Sequence, residues 1–312
     1  MSDMSIIKPT VVTEGMLTSS TAAEPGPDEV AWTNVAWAKD ATCYLATTHS
    51  RYQAAVAVAA GGVSPDLDIA NATTATPAKW LKLGPTNKWA MFDRKLGTLT
   101  TVDSPLTVTL RPGGMSGIAL LELTGRKATI TLRAAPGGTA VYDRTVDLDG
   151  SLIESIYDWF YVEYEQRSDL VLTDLPPVYL TGELTVTITG TGPVSCGVMQ
   201  VGQVIHIGGT QYGASVGIVD YSVKKPDAFG NMDVVERDFS RRMSLKVVTE
   251  KSDFNRIFRV LASVRAILCV YIATEAGGFE PMIAYGFYKD FSIEISYPLF
   301  HLCNLEIEGI AT

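Results

Sequence analysis

The chain offers few residues suited to chemistry, and their spacing argues against most of it. Three histidines occur, His49, His206 and His301. None has a second histidine or an acid at metal-ligand spacing, and HExxH is absent. His206 lies in Val204-Ile205-His206-Ile207, a strand-like run that favours a structural role. The four cysteines, Cys43, Cys196, Cys269 and Cys303, form no CxxC pair, so neither a zinc knuckle nor a redox motif is expected. Each sits among apolar neighbours, as small buried hydrophobes do in a reducing cytoplasm. No GxxxxGK[ST] loop and no GxGxxG after a strand is present.

Acids two residues apart occur beside turns at Asp66-Leu67-Asp68 and Asp147-Leu148-Asp149-Gly150. Loop oxygens of this kind can serve calcium, but short acidic loops are more often simply solvated. Asp158 with Glu163 or Glu165 could be cast as a glycosidase pair, though nothing fixes their separation. No cofactor, no metal and no catalytic residue is expected, and the chain does not read as an enzyme. The aromatic run Asp158-Trp159-Phe160-Tyr161-Val162-Glu163-Tyr164 is a stronger signal. On a strand, Trp159 and Tyr161 share one face, and Phe160, Val162 and Tyr164 the other. One face belongs in a core. The other is buried between sheets, or it presents rings to a neighbouring subunit or a sugar.

The elements that must carry these residues are mostly strands. The chain has 312 residues, 46% of them apolar and 19% charged, enough to bury a sizeable core. Its net charge of -9, with no basic cluster, makes nucleic acid a poor partner. No cationic-then-apolar leader opens the sequence, and the run Ala54 to Val63 is too short and too rich in Ala and Gly to span a bilayer. No membrane insertion is expected, and release by lysis suits the chain better than secretion.

Residues 1–28 mix Thr, Ser, Ala and Pro and read as an extended arm. Residues 29–208 read as a β-sandwich of the jelly-roll, galactose-binding-like kind. Leu106 to Leu110, Ala128 to Leu132 and Leu184 to Thr189 alternate with period two, separated by Pro/Gly turns. Gly208 to Gly213 marks a boundary, and residues 209–312 read as a β-rich α+β module. Its one packed helix is expected over 253–266, with Ser252 as cap and Phe254, Ile257, Phe258, Leu261 and Val264 as the apolar stripe. The fold class is therefore mainly β.

Several segments resemble structural proteins of tailed bacteriophages. Pro85-Thr86-Asn87-Lys88-Trp89-Ala90-Met91-Phe92-Asp93 is similar to a "PTN-x-W-A-M-F-D" stretch of such proteins. So are Val198 to Tyr212 and the C-terminal run through Tyr285-Gly286-Phe287-Tyr288, Tyr297-Pro298 and Leu305-Glu306-Ile307-Glu308-Gly309. Physically, the first of these reads as a turn feeding a core strand. The resemblance implies a virion protein of a long-tailed phage, near the tail tip or baseplate, made in the host cytoplasm. Distal tail proteins of that group join a ring-forming β domain to a sugar-binding-like sandwich. Here the ring-like unit falls at the C-terminus, the reverse of the usual order. The implied partners are copies of itself in a homo-oligomeric ring, other tail proteins, and, as the alternative role, a host-surface glycan. Candidate interaction residues are Trp159 and Tyr161 in the aromatic run, and Lys224, Lys225 and Phe229 in a protruding loop. Arg256 and Arg259 on the helix complete the set.

Overall fold

A computed structural model describes residues 3–27, 29–150, 157, 166–226, 231–274, 280–295 and 297–310. It is mainly β, with several sheets and one packed helix. The first strands are β1 (Asp3–Pro9), β2 (Leu17–Ser20), β3 (Thr42–Leu45), β4 (Ser50–Ala54), β5 (Trp80–Pro85), β6 (Thr100–Asp103) and β7 (Leu106–Leu110). Then follow β8 (Gly117–Leu121), β9 (Lys127–Arg133), β10 (Ala140–Asp147), β11 (Leu170–Leu172), β12 (Glu183–Thr189), β13 (Pro193–Cys196) and β14 (Val198–Thr210). The last are β15 (Ser215–Asp220), β16 (Val223–Pro226), β17 (Met232–Val235), β18 (Phe239–Glu250), β19 (Cys269–Ile272), β20 (Ile283–Glu294) and β21 (Phe300–Gly309). Among the described residues no helix is long and apolar enough to cross a membrane.

The largest sheet runs β11-β8-β14-β1-β19-β20-β21-β18-β15. It closes on itself, because β18 also pairs with the end of β14 at Gly209↔Val248 and Thr210↔Val247. Six strands, β14-β1-β19-β20-β21-β18, thus form a barrel. Its core combines Met4, Ile6, Ile207, Met243, Leu245, Val247, Tyr271, Cys303, Leu305 and Ile307 with Ile257, Leu261 and Val264 from the helical region. Closure demands close backbone approach at the seam. A Cβ at Gly208 would overlap the carbonyl oxygen of Val248 there, and, between β20 and β21, one at Gly286 would overlap that of Glu308.

The extended arm is corrected over residues 3–9. They form β1, hydrogen-bonded to β14 on one side and β19 on the other. Met4, Ser5, Ile6 and Ile7 are all buried, so both faces of the strand are covered. The expected boundary at 208/209 falls inside β14, and this strand serves two cores with one face. Met199 and Val201 pack in the sandwich, while Ile207 packs in the barrel.

The sandwich sets a second sheet, β10-β9-β12-β7-β2, over the β11-β8-β14 part of the first. The period-two pattern does what it implies. Leu106, Val108, Leu110, Ala128, Ile130, Leu132, Leu184, Val186 and Ile188 meet Ile118, Leu120, Leu170, Leu172, Met199 and Val201. Threonines on the other face pair across strands: Thr107 with Thr187 at 3.3 Å, Thr109 with Thr185 at 3.3 Å, and Thr129 with Thr145 at 3.0 Å.

The region 29–208 is not one sandwich. Strands β3-β4-β5 form a separate three-stranded sheet around Cys43, Tyr52, Ala54, Val58 and Trp80, with Trp37 edge-on to Trp80 at 5.9 Å. The Pro85–Asp93 motif also differs from expectation. The strand β5 precedes it, and Asn87–Phe92 is a 3-10 helix that buries Trp89, Ala90 and Met91. The helix of the C-terminal unit spans Phe254–Ser263, entered through a 3-10 turn at Lys251–Asp253. Ser252 does not cap it; its hydroxyl donates to Glu250. Phe258 is exposed rather than part of the buried stripe, and lies edge-on to Phe291 at 5.8 Å.

Candidate interaction surface

Strand β15 follows β14 along the same partner. The end of β14 faces residues 247–248 of β18, and β15 faces residues 239–244. The pairing then passes to β16 with β17, from Val223↔Val235 to Pro226↔Met232. The result is a two-stranded ribbon that leaves the barrel where β18 begins. Its β15 side is the open edge of the nine-stranded sheet. Every described residue of β17 is exposed, and so is every residue of β15 except the half-buried Val219. Ile218 is 66% exposed, Met232 59% and Val234 56%, with Val216, Tyr221, Val235 and Phe239 also open. A ribbon of apolar side chains with unpaired edge groups is an unusual surface for a lone chain in water, because each feature favours association.

A second apolar surface lies at the other end of β18. The start of β21 pairs with residues 248–250 of that strand, and the connection before it exposes Ile295, Tyr297 and Leu299. Tyr297 stacks on Phe300 at 4.4 Å. The barrel thus carries bare apolar groups at both ends.

The base of the ribbon is fixed to the sandwich. Arg241 in β18 reaches Asp169 at 3.1 Å and donates to the carbonyl of Ile283 at 3.2 Å. The pair borders a cavity of about 160 Å3, together with Glu122 and Tyr285.

The sequence-derived candidates divide. Lys224 and Lys225 lie on β16, in the ribbon. Lys224 is bound to Asp220 at 2.8 Å and holds that carboxyl below the usual carboxylate range. Phe229, Trp159 and Tyr161 lie outside the described residues, as do Asp158, Glu163 and Glu165. Arg256 has partners within the chain. It bridges Asp253 at 3.0 Å and the carbonyl of His206 at 3.2 Å, tying the helix to β14. Arg259 spends its Nε on the carbonyl of Asn255 within its own helix. The apolar ribbon itself was missed, although Val216/Ile218 and Met232/Val234 flanking Pro226 and Gly230 carry the hairpin signal.

Several polar groups serve the structure. The Glu24 carboxylate accepts from His49 Nδ1 at 3.0 Å, Thr86 at 2.7 Å and Trp89 Nε1 at 3.0 Å, and His49 stacks on Trp89 at 4.2 Å. That hub fastens the segment after β2 to the three-stranded module. Asp68 accepts from the backbone of Lys79 and Trp80. Asn87 exchanges two bonds with the backbone of Thr101. Gly213-Ala214-Ser215-Val216-Gly217 has the letters of a hydrolase nucleophile elbow. Here, however, Ser215 opens the exposed strand β15, opposite Ser244, with no helix after it. Among the described residues no cluster of three His, Cys, Asp or Glu side chains is placed to hold a metal ion. Burial pushes the Cys43 and Cys303 thiols up to about 11 and those of Cys196 and Cys269 up to about 12.

No protein-family model matches the chain, and neither a curated protein nor a solved structure matches it.

Proposed function

We propose that this chain is a non-catalytic structural subunit of a phage tail, tail tip or baseplate, assembling into a symmetric oligomer with itself and with other tail proteins in the virion. One observation carries the reading: the apolar ribbon β15–β18 with β16–β17, projecting from an otherwise closed barrel and ending in an open sheet edge. Strand addition at that edge and burial of Ile218, Met232 and Val234 would supply directional and non-directional attraction together. The ribbon and the Tyr297–Phe300 surface lie at opposite ends of the barrel. Docking one on the other would be heterologous, and such contacts close into rings or continue into tubes. The segments similar to tail proteins supply the biological setting.

The test is the mass of the full chain by light scattering, together with negative-stain images. The expected outcome is rings or stacked polymers. In the double variant Ile218→Asp/Val234→Asp these give way to folded monomer, because exposed positions change stability by only about 0.5 kcal/mol. A parent chain that stays monomeric at high concentration, alone and with tail extracts, would sink the proposal.

A further inference from the structure

A surface that receives the ribbon must supply counter-charge as well as apolar cover. The chain carries a net charge of -9, so two copies repel unless basic groups stand where they meet. In the ribbon, Lys224 is bound to Asp220, and Lys225 stands across from Asp233. That leaves Glu236, Arg237 and Asp238, all exposed, between β17 and β18, where the two acids outnumber the one base.

The exposed side of the helix Phe254–Ser263 and of the turn after it has the opposite sign. Asn255, Phe258, Arg259, Ala262 and Arg265 recur at three- and four-residue intervals and are all exposed. Among the described residues neither Arg259 nor Arg265 forms an ion pair. Lys8 joins them from β1, its ammonium donating to the Ser263 hydroxyl at 3.4 Å. Asp253 is already bound to Arg256, which leaves Asp290 on β20 against three cations. The cations border a half-open row of rings, with Phe258 edge-on to Phe291 and Phe291 edge-on to Tyr288 at 5.5 Å. This face continues the Tyr297–Phe300 surface. The Lys251 N–H donates to the Leu299 carbonyl at 3.1 Å, and Phe254 lies edge-on to His301 at 5.7 Å. Phe258 is 51% exposed with the chain's own ribbon in place, so a chain does not cover its own helix face.

We propose that the ribbon of one copy docks on the helix face of the next, with Glu236 and Asp238 meeting Arg259 and Arg265 while Met232 and Val234 cover Phe258 and Phe291. This rests on the assembly reading above and adds to it the acceptor surface and the sign of its charge. Apolar cover supplies attraction without direction, and the opposed charges fix which surface meets which. Two ribbons repel each other, as do two helix faces, so the contact is head-to-tail.

The test is charge reversal on the full chain, with mass read by sedimentation velocity. Arg259→Glu/Arg265→Glu and, separately, Glu236→Lys/Asp238→Lys should each weaken self-association about tenfold or more. An equimolar mixture of the two variants should assemble again, because each ribbon then finds an acceptor of opposite charge only on the other variant. Lys39→Glu/Lys82→Glu changes the net charge as much as the arginine pair does, but at exposed sites on the three-stranded module, and should assemble like the parent. Melting curves matching the parent exclude misfolding of the variants. If the parent assembles and the reversed variants assemble equally well, or if their mixture stays dissociated, the inference is overturned while the assembly reading stands. Dissociation of the Lys39→Glu/Lys82→Glu chain would assign the effect to net charge and overturn the inference likewise. If the parent itself stays monomeric, both fall.

Discussion

Strand β18 passes through two environments within twelve residues. From Met243 to Val247 its alternate side chains are fully buried and its backbone is paired on both sides, in the barrel. At its start, Phe239 is exposed, and among the described residues the only strand paired with it is the edge strand β15. The same kind of sequence, alternating apolar and polar, therefore serves the chain's own core in one half and a bare surface in the other. What separates them is whether the sheet closes. Apolar residues inside the closed ring stabilise the monomer. Those on the ribbon stabilise nothing until another surface covers them.

The sharpest way to break this contrast is one substitution made twice. Gly208→Val drives a side chain into the Val248 carbonyl at the seam, and should cost about 3 kcal/mol or more or prevent folding. Gly217→Val in the ribbon meets nothing within 4 Å and should leave the melting temperature nearly unchanged. Thermal unfolding followed by near-ultraviolet circular dichroism compares the two. Next in size, Leu245→Ala in the barrel core should cost about 2–5 kcal/mol by denaturant titration. Val234→Ala should stay within about 0.5 kcal/mol yet weaken self-association. Smaller again, Asp169→Asn removes the partner of a half-exposed Arg241. It should cost about 1 kcal/mol or less, with a larger effect on ribbon protection in hydrogen exchange than on global stability.

A further prediction concerns pH. Burial raises the four thiols above their ordinary value of 9.0, so the unfolded chain loses those protons first. Their stabilising contribution is whole below pH 9 and falls away as the pH rises towards 11 and 12. Tyr271 and Tyr285 are shifted in the same direction, also by burial. The melting temperature should hold up to about pH 9 and then decline. A thiol reagent at neutral pH should label the native chain slowly and the unfolded chain fully.

The strands of the sandwich were legible because each buries one face. Leu106 to Leu110 and Leu184 to Thr189 announce themselves by period two. The helix was legible to within a few residues from Ile257, Leu261 and Val264. Strand β1 was not. Met4, Ser5, Ile6 and Ile7 are covered on both sides, so no alternation remains, and the Thr- and Pro-rich stretch that follows hides so short a run. Barrel closure left no local trace either, since Gly209 and Val248 meet only through the fold. The ribbon was seen as a loop with Lys224 and Lys225, because Pro226 masks its strand character.

Strand β1 has a consequence for biosynthesis. It is made some two hundred residues before its hydrogen-bonding partners, 202–209 and 270–272. Until then Met4, Ile6 and Ile7 lack the cover that the folded chain gives them. The barrel, and with it the firm base of the ribbon, is therefore finished only once those later segments have been made.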